Sequence, residues 1–345
     1  MITDASERGH GTPCPQLTYF QMQEIPSLRH PVAAAGDQSD NRQPPEATPS
    51  RQRKLSRIKE RFIEALLFLA ALSSVAITLG IVFTLIYESS TFFAHVSIKE
   101  FLTAPLWTPL FASPRFGIMP LVLGTLVTTA VALAVALPIG TIVAIYLSEF
   151  APPTLREIVK PALELLSAVP TVVYGYFALQ FMSPVLQKVF PGLPTFNMLS
   201  AGVVMGIMII PYVSSLSEDA MRAVPMSLRE GAYAMGANRI ITAIKVVYPS
   251  ALSGIVASYI LAISRAIGET MIVAIAAGMQ PNLTVDPREP AATITAFIVQ
   301  VSLGDLPHGS IGYQSIFAAG ITLFIMTLFF NILGYILRKR FREVY

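Results

Sequence analysis

Six segments of the chain consist almost entirely of apolar and small residues, and polar stretches separate them. They cover residues 62–87, 119–147, 161–187, 198–217, 252–279 and 314–337. A helix needs about 20 predominantly apolar residues to cross the hydrocarbon layer of a membrane. The pattern therefore predicts an all-α polytopic protein with six transmembrane helices. The fourth is the weakest of these because Pro211 interrupts it.

The overall composition agrees with this prediction. Charged residues make up 13% of the 345 residues and hydrophobic residues 53%, whereas soluble domains carry about 25% charged residues. The single cysteine, Cys14, lies in a polar stretch and has no second cysteine with which to form an internal disulfide. Metal ligation or redox chemistry of the C-x-x-C kind is therefore not expected, and we predict no metal site.

Lys and Arg residues in the flanking loops predict the orientation of the six spans. Sixteen of them flank the side that holds both chain ends, and four, Lys99, Arg115, Lys188 and Arg288, flank the other. Loops that carry the excess of Lys and Arg lie on the cytoplasmic side. Both termini are therefore predicted to be cytoplasmic. On the outer side, the apolar stretch ATITAFIVQVSL is too short to span, and its periodicity fits an interfacial helix or a strand.

Residues 1–61 differ in composition from the rest of the chain. They are rich in Pro, Gln, Ser, Asp and Arg and lack an apolar run long enough for a signal peptide. Such a segment buries too little surface to fold alone, so we predict a disordered cytoplasmic tail. It ends in RQRKLSRIKER, a basic cluster directly before the first span. This position favours binding to anionic membrane lipid over nucleic acid, and we expect no nucleic-acid partner.

The cytoplasmic loop between the fourth and fifth spans, residues 218–250, is the least apolar part of the region 62–345. Ser227 followed by Glu230 fits a capping box at the start of a helix. Gly236 is placed to end that helix in a turn with positive φ. A second helix then runs towards Pro249. The pattern predicts a compact helix–turn–helix projection into the cytoplasm.

This loop resembles the EAA loop of the permeases of ABC importers. The stretch from Glu230 to Gly236 reads EGAYAMG, so Gly231 replaces the first Ala of the usual E-A-A, and VVYP replaces the usual I-x-L-P. In that family the loop docks into a cleft of the ATPase subunit and transmits its motion. The alternative is an amphipathic helix on the membrane surface. By resemblance, the residues expected to contact the ATPase and couple to it are Glu230, Gly231, Ala232, Gly236 and Pro249.

Two further stretches, RAIGET at 265–270 and ELLSAVPTVVYG at 164–175, resemble the phosphate permeases of the PstC type. Sulfate and molybdate permeases are similar around RAIGE but usually continue F-G-A, whereas this chain has Thr270 and Met271. The resemblance implies a type I ABC-importer permease core in residues 62–345. It also implies a multi-pass protein of the bacterial cell membrane that imports inorganic phosphate. The related sulfate and molybdate permeases remain the alternative.

The sequence contains no G-x-x-x-x-G-K-[ST] loop for ATP. We therefore expect no cofactor in this chain, no catalytic residues and no enzymatic activity, with ATP-Mg bound by a partner ATPase dimer. The resemblance further implies a second permease subunit of the PstA type and an extracytoplasmic phosphate-binding protein. A secondary transporter driven by an ion gradient is the rival of a different class. It would require internal repeats with broken helices in matching halves, and the sequence shows no convincing repeat.

Arg265 and Glu269 are charged residues inside the fifth apolar segment. Their spacing of four residues places them on one face of a continuous helix. A charge at this depth faces the bundle interior or water, and is a functional candidate. We predict that Arg265 meets phosphate in the transport path and that Glu269 weakens its hold by pairing with it. The alternative is a purely structural ion pair.

Overall fold

The computed structural model describes residues 50–111, 113–304, 306–307 and 309–340, with side chains from residue 59 onward. The predicted tail lies outside the described residues as far as residue 49. The chain divides into two units, Met1–Phe68 and Leu69–Tyr345. The described part of the first unit, residues 50–68, is helical throughout. The second unit contains the helices that are discussed below.

The described residues form α-helices joined by short turns and by three π-helical turns. The first seven helices are α1 Ser50–Phe93, α2 Ile98–Thr103, α3 Met119–Ile145, α4 Pro153–Ala168, α5 Thr171–Phe177, α6 Ser183–Val189 and α7 Met198–Arg222. The remaining seven are α8 Met226–Ala234, α9 Arg239–Thr242, α10 Tyr248–Ser250, α11 Leu252–Ile267, α12 Met271–Ala276, α13 Ile294–Ser302 and α14 Ile311–Arg340. The π-helical turns are Tyr146–Phe150, Ala178–Met182 and Ala243–Val247.

Four of the described helical segments are long and apolar enough to cross a membrane, and two bent helix pairs bring the number to six. The bent pairs are Pro153–Ala168 with Thr171–Val189, at 87°, and Arg239–Ser250 with Leu252–Ile267, at 71°. The predicted six-span, all-α architecture is confirmed when each bent pair is counted as one span. The fifth span does not keep its predicted bounds of 252–279, since α11 ends at Ile267.

Helix α1 begins earlier than the sequence pattern suggested. It starts at Ser50, so residues 50–61, which we assigned to the disordered tail, are helical. No Gly or Pro occurs between residues 50 and 61, and the Arg, Gln, Lys, Leu and Glu residues there favour a helix. The helix of the first span therefore extends back through the basic cluster.

Helix α7, predicted as the weakest span, lies at the centre of the second unit. Pro211 does not interrupt it, and its buried residues include Met198 near its start and Met221 near its end. It packs closely on α3 through Gly202 and Gly206. A Cβ atom at Gly206 would lie 2.7 Å from the carbonyl oxygen of Ala132. The absence of side chains at these two glycines is what allows the backbones to approach.

A cluster of aromatic rings closes the outer side of the same unit. Trp107 is 1% exposed, and its ring centre lies 5.0 Å from that of Phe297 in an edge-to-face arrangement. Phe101 and Phe116 pack on the same indole ring. Phe297 belongs to α13, the short apolar segment that sequence periodicity left undecided. It is a helix rather than a strand, and the aromatic cluster covers its apolar side.

The break between α4 and α5 occurs at Pro170. Proline lacks the amide that would bond to the carbonyl of Leu166, four residues earlier. The hydroxyl of Tyr174 donates to that carbonyl at 2.6 Å instead. After the break, Gly175 lets α5 approach α12, since a Cβ atom there would lie 3.1 Å from the carbonyl oxygen of Met271. The two short helices α5 and α12 thus meet in the core.

We predict that Gly206→Ala lowers the stability of the protein. The added methyl group would overlap Ala132 and Val135, and such overpacking costs about 1–3 kcal/mol. Gly80→Ala in α1 is the matched control, because nothing lies within 4 Å of a Cβ atom there. Thermal unfolding of the purified protein in detergent measures the difference. Equal midpoints for the two variants would show that the α3–α7 contact tolerates a side chain.

Candidate functional site

Two regions carry the residues singled out from the sequence. The first is the junction between α11 and α12, which holds Arg265 and Glu269. The second is the cytoplasmic segment between α7 and α11, which holds the residues of the EAA-like loop.

Arg265 lies in the last turn of α11 and is partly buried. Its Cζ atom stands 4.6 Å from the centre of the Tyr212 ring of α7. Its Nε atom is buried without a hydrogen-bond partner. Within the described part of the chain, no carboxylate lies within ion-pair distance of this guanidinium. The Arg265 side chain is thus held by the face of the Tyr212 ring, and its buried Nε–H group has no hydrogen-bond acceptor.

Glu269 lies between the two helices, in the break formed by residues 268–270, and is 7% exposed. Its Oε1 atom accepts hydrogen bonds from the amides of Met271 at 3.2 Å and Ile272 at 3.5 Å. These amides begin α12 and have no partner within the helix, and the positive end of the helix dipole favours the carboxylate. Its own carbonyl oxygen accepts from the Thr295 hydroxyl at 2.6 Å. Glu269 therefore stabilises the start of α12.

The predicted pairing of Arg265 with Glu269 on one face of a continuous helix is wrong. The helix ends at Ile267, and Gly268 is followed by Glu269 in non-helical backbone. Glycine loses the most conformational freedom in a helix, so a break at this position costs little. Because α12 begins as a separate helix, its first free amides, those of Met271 and Ile272, bind the Glu269 carboxylate in place of the Arg265 guanidinium.

Tyr212 is a member of this site that sequence reasoning missed. It follows Pro211 in the apolar segment IIPYVSS and is partly buried. An aromatic residue in a transmembrane segment is common, so nothing local marked it as the partner of a cation in another helix. The contact depends on how α7 packs against α11, which the sequence pattern did not specify.

Arg288, in the loop between α12 and α13, pairs with a neighbouring carboxylate. The Arg288 side chain donates to both carboxylate oxygens of Asp286, with Nη2 to Oδ2 at 2.6 Å. These hydrogen bonds lower the pKa of Asp286 to about 2. In the structure the Arg288 guanidinium is thus engaged by a neighbouring carboxylate.

The cytoplasmic segment has the predicted helix–turn–helix form. Helix α8 ends after Ala234, Gly236 follows with φ +85°, and α9 begins at Arg239 with the side chain of Asn238 capping it. The prediction of a positive φ at Gly236 is confirmed. Glu230 and Gly231 are exposed on α8, while Ala232 is half-buried. Pro249 is exposed in α10, at the end of the segment.

Two local predictions for this segment are wrong. The loop does not start at residue 218, because α7 continues to Arg222 and fully buries Glu218. Ser227 and Glu230 do not form a capping box, since α8 is preceded by Pro225 and has no side-chain cap. Ser227 lies inside α8, one residue after its start at Met226, and so does not occupy the capping position.

Arg229 of α8 is a second residue that sequence reasoning missed, since it appeared only as one of several loop cations. Its Nη2 atom donates to Glu149 at 2.9 Å and also to the carbonyl of Met221 at 2.9 Å. Its Nη1 atom donates to the carbonyl of Val224 at 2.6 Å. The side chains of Arg229 and Glu149 are only 11% and 8% exposed. This buried pair attaches α8 to the π-helical turn after α3 and to the end of α7.

A second ionic cluster attaches α4 to the same end of α7. The Lys160 ammonium group lies 2.9 Å from Glu218 and 2.6 Å from Asp219. Arg222 lies 3.5 Å from the other oxygen of Glu218, which is fully buried. Because a buried carboxylate is costly without a nearby cation, the cluster fixes the position of α4 relative to α7.

The projection exposes apolar side chains on its surface. Met235 in the turn is 88% exposed, and α9 with the following π-helical turn exposes Ile240 at 58% and Ile244 at 55%. A group of exposed apolar residues with polar neighbours marks an interaction surface more often than a free one. We call these residues, with Tyr233 and Ile241, the projection surface.

The chain matches the family model of the binding-protein-dependent transport system inner membrane component over residues 136–343. A probable ABC transporter permease, YqgH of Bacillus subtilis, is 33% identical over 289 residues, which cover 82% of this chain and 92% of the relative. The phosphate transport system permease protein PstC of Mesorhizobium japonicum is 33% identical over 285 residues, which cover 76% of this chain and 83% of the relative.

Solved structures share the fold at low sequence identity. A chain in the crystal structure of a bacterial ABC transporter that imports the acidic polysaccharide alginate superposes with a TM-score of 0.59. It is 15% identical, and the match covers 84% of this chain and all of that chain. The resemblance extends to the arrangement of helices, and identifies the fold as that of the type I ABC-importer permeases.

We predict that Arg229→Gln loosens the projection. The substitution leaves Glu149 buried without its cation, and breaking such a pair costs about 3 kcal/mol. Hydrogen exchange of the amides in residues 226–234 should become faster. Arg239→Gln, which removes an exposed cation from the same segment, is the matched control. Unchanged exchange in Arg229→Gln would show that α8 is held by its apolar contacts alone.

Proposed function

The chain belongs to the family of binding-protein-dependent transport system inner membrane components, and we propose that it carries inorganic phosphate across the bacterial cell membrane. As a member of that family it is an ABC-importer permease, a transport component rather than an enzyme. The proposal concerns its substrate, the residue that meets the substrate, and its partners.

The observation that carries the proposal is the Arg265 guanidinium. It lies at a break in a helix of the membrane bundle, and the described residues offer it a ring face but no carboxylate. A guanidinium binds phosphate oxygens through two parallel hydrogen bonds. A cation without an acidic partner is therefore suited to receive an anionic substrate. Arg288, by contrast, is already bonded to Asp286.

Glu269 takes a different role in this proposal from the one predicted. It keeps α12 in place by accepting from the amides of Met271 and Ile272, and so fixes the break that presents Arg265. Its negative charge still lies close in the chain to the proposed phosphate position. It would weaken the hold on a dianion by repulsion, which favours release.

Phosphate is favoured over other oxyanions by the sequence and by the relatives. RAIGE is followed by Thr270 and Met271 rather than by the F-G-A usual in sulfate and molybdate permeases. Relatives named as phosphate permeases, such as PstC of Mesorhizobium japonicum, support the same substrate. A sulfate or molybdate permease is the alternative, and a substrate comparison separates the two.

The projection surface supports a cytoplasmic partner. We propose that an ATPase dimer binds ATP-Mg and docks on the projection through Glu230, Gly231, Ala232, Gly236 and Pro249 together with the exposed apolar residues. A second permease subunit of the PstA type and an extracytoplasmic phosphate-binding protein complete the proposed complex. A transporter driven by an ion gradient would have no use for this surface.

We predict that Arg265→Gln abolishes phosphate uptake while the complex still assembles and hydrolyses ATP. The amide keeps the size of the side chain but removes the charge and the paired donors. Arg265→Lys should recover little, because an ammonium group cannot form two parallel bonds. Uptake of labelled phosphate into vesicles loaded with ATP measures this.

Labelled sulfate and molybdate, supplied in the same vesicles, test the alternative substrates. An ionophore should leave phosphate uptake unchanged, since the gradient does not drive it. Normal phosphate uptake by the double variant Arg265→Gln/Glu269→Gln would contradict the proposed path.

We also predict that Gly236→Ala weakens ATPase docking, whereas Gly231→Ala, which restores the first Ala of the usual E-A-A, does not. Both substitutions add one methyl group where nothing lies within 4 Å. Only Gly236 has a positive φ, which costs a residue with a Cβ about 1 kcal/mol or more. Co-purification of the ATPase with each variant measures docking. Equal yields would show that the turn at Gly236 is not part of the docking surface.

A further inference from the structure

A cleft lies between α11 and α14 at their cytoplasmic ends. Its volume is about 470 Å³, and its walls are Ser253, Gly254 and Ala257 of α11 with Tyr335, Arg338 and Lys339 of α14. Small residues on one helix thus face large residues on the other. It is distinct from the Arg265 site, which lies at the other end of α11.

The packing of the two helices explains why the cleft opens here. Gly334 packs directly on Ile260, since a Cβ atom would lie 2.5 Å from Cγ1 of Ile260. Further into the membrane, the Ser264 hydroxyl donates to Asn331 at 2.8 Å. Towards the cytoplasm, no comparable residue fills the space opposite Tyr335, because Gly254 is instead packed against Ala220 of α7. Helices α11 and α14 are therefore in contact on the membrane-interior side of the cleft and separated at the cleft itself.

The mouth of the cleft is cationic. Arg338 and Lys339 lie in the last turn of α14, where the helix dipole favours positive side chains. The Arg338 guanidinium stands 5.8 Å from the Tyr335 ring centre, which keeps it over the opening. Neither cation forms an ion pair with a carboxylate of the described residues. The cleft therefore offers two positive groups to a ligand.

A second cavity of about 200 Å³ continues the cleft towards the membrane interior. It shares Ala257, Tyr335 and Arg338 with the first cavity. It adds the aliphatic side chains of Ile260 and Leu261, together with Gly334 and the amide of Asn331. A cationic mouth followed by an aliphatic track matches a molecule with an anionic head and an acyl chain. A soluble anion has no apolar part that would fill the second cavity.

We propose that this cleft binds an anionic phospholipid of the cytoplasmic leaflet. The phosphate group contacts Arg338 and Lys339, and one acyl chain follows Ile260 and Leu261. Basic pockets between transmembrane helices on the cytoplasmic side bind acidic lipid headgroups by the same chemistry. Bound lipid would fill the space that separates α11 from α14. The proposal does not depend on the substrate of the transporter.

Native mass spectrometry of the full chain, purified in detergent and titrated with phosphatidylglycerol, tests the proposal. Arg338→Gln should weaken phosphatidylglycerol binding about fivefold, the contribution of one cation near an anionic surface. Arg340→Gln is the matched control, with the same charge change in the same helical turn but outside the cleft. Ala257→Leu should weaken binding without any change in charge, because it fills the cleft.

The other outcomes overturn the proposal. Equal weakening by Arg338→Gln and Arg340→Gln would mean that the helix end attracts lipid without a defined site. Phosphatidylcholine binding as tightly as phosphatidylglycerol would remove the role of the cations. Displacement of phosphatidylglycerol by millimolar inorganic phosphate, with no effect of Ala257→Leu, would identify a soluble-anion site in place of a lipid site.

Discussion

The need to pair every backbone donor and acceptor in an apolar layer determines where this chain can be irregular. In a membrane interior an unpaired amide or carbonyl costs several kcal/mol, so a broken helix needs side chains that replace the lost bonds. At Pro170 the Tyr174 hydroxyl pairs with the Leu166 carbonyl. At the α11–α12 break the Glu269 carboxylate pairs with the first amides of α12. In each break a particular side chain supplies a hydrogen bond to a backbone group that has no partner in the helix.

The same breaks make a charged residue tolerable inside the bundle. A cation at the centre of a membrane helix costs about 2.5–3.5 kcal/mol on insertion scales. A desolvated cation–π contact contributes about 2 kcal/mol, and the end of a helix contributes about 0.3–1 kcal/mol. Arg265 has both, through the Tyr212 ring and its place in the last turn of α11. The cost is thus nearly offset without a carboxylate.

Features that depend on local sequence were predictable, and features that depend on distant contacts were not. The six apolar segments, the side that carries the cations and the positive φ of Gly236 follow from neighbouring residues, and the structure agrees with the spans and the turn. Pro211 was misleading, because α7 continues through it from Met198 to Arg222. The partners of Glu269, Arg229 and Arg265 come from other helices or from a helix restart. Residue spacing alone could not identify them.

Helix α7 connects the two candidate regions. Its cytoplasmic end is joined to α8 through Arg229 and to α4 through Lys160. Tyr212, which contacts Arg265, lies about 15 Å further along the same helix at 1.5 Å per residue. Next to Tyr212, Val213 packs directly on Gly140 of α3, so this part of α7 is also held closely against α3. A displacement of the projection would therefore reach Tyr212 as a movement of the whole helix, and so change the surroundings of Arg265.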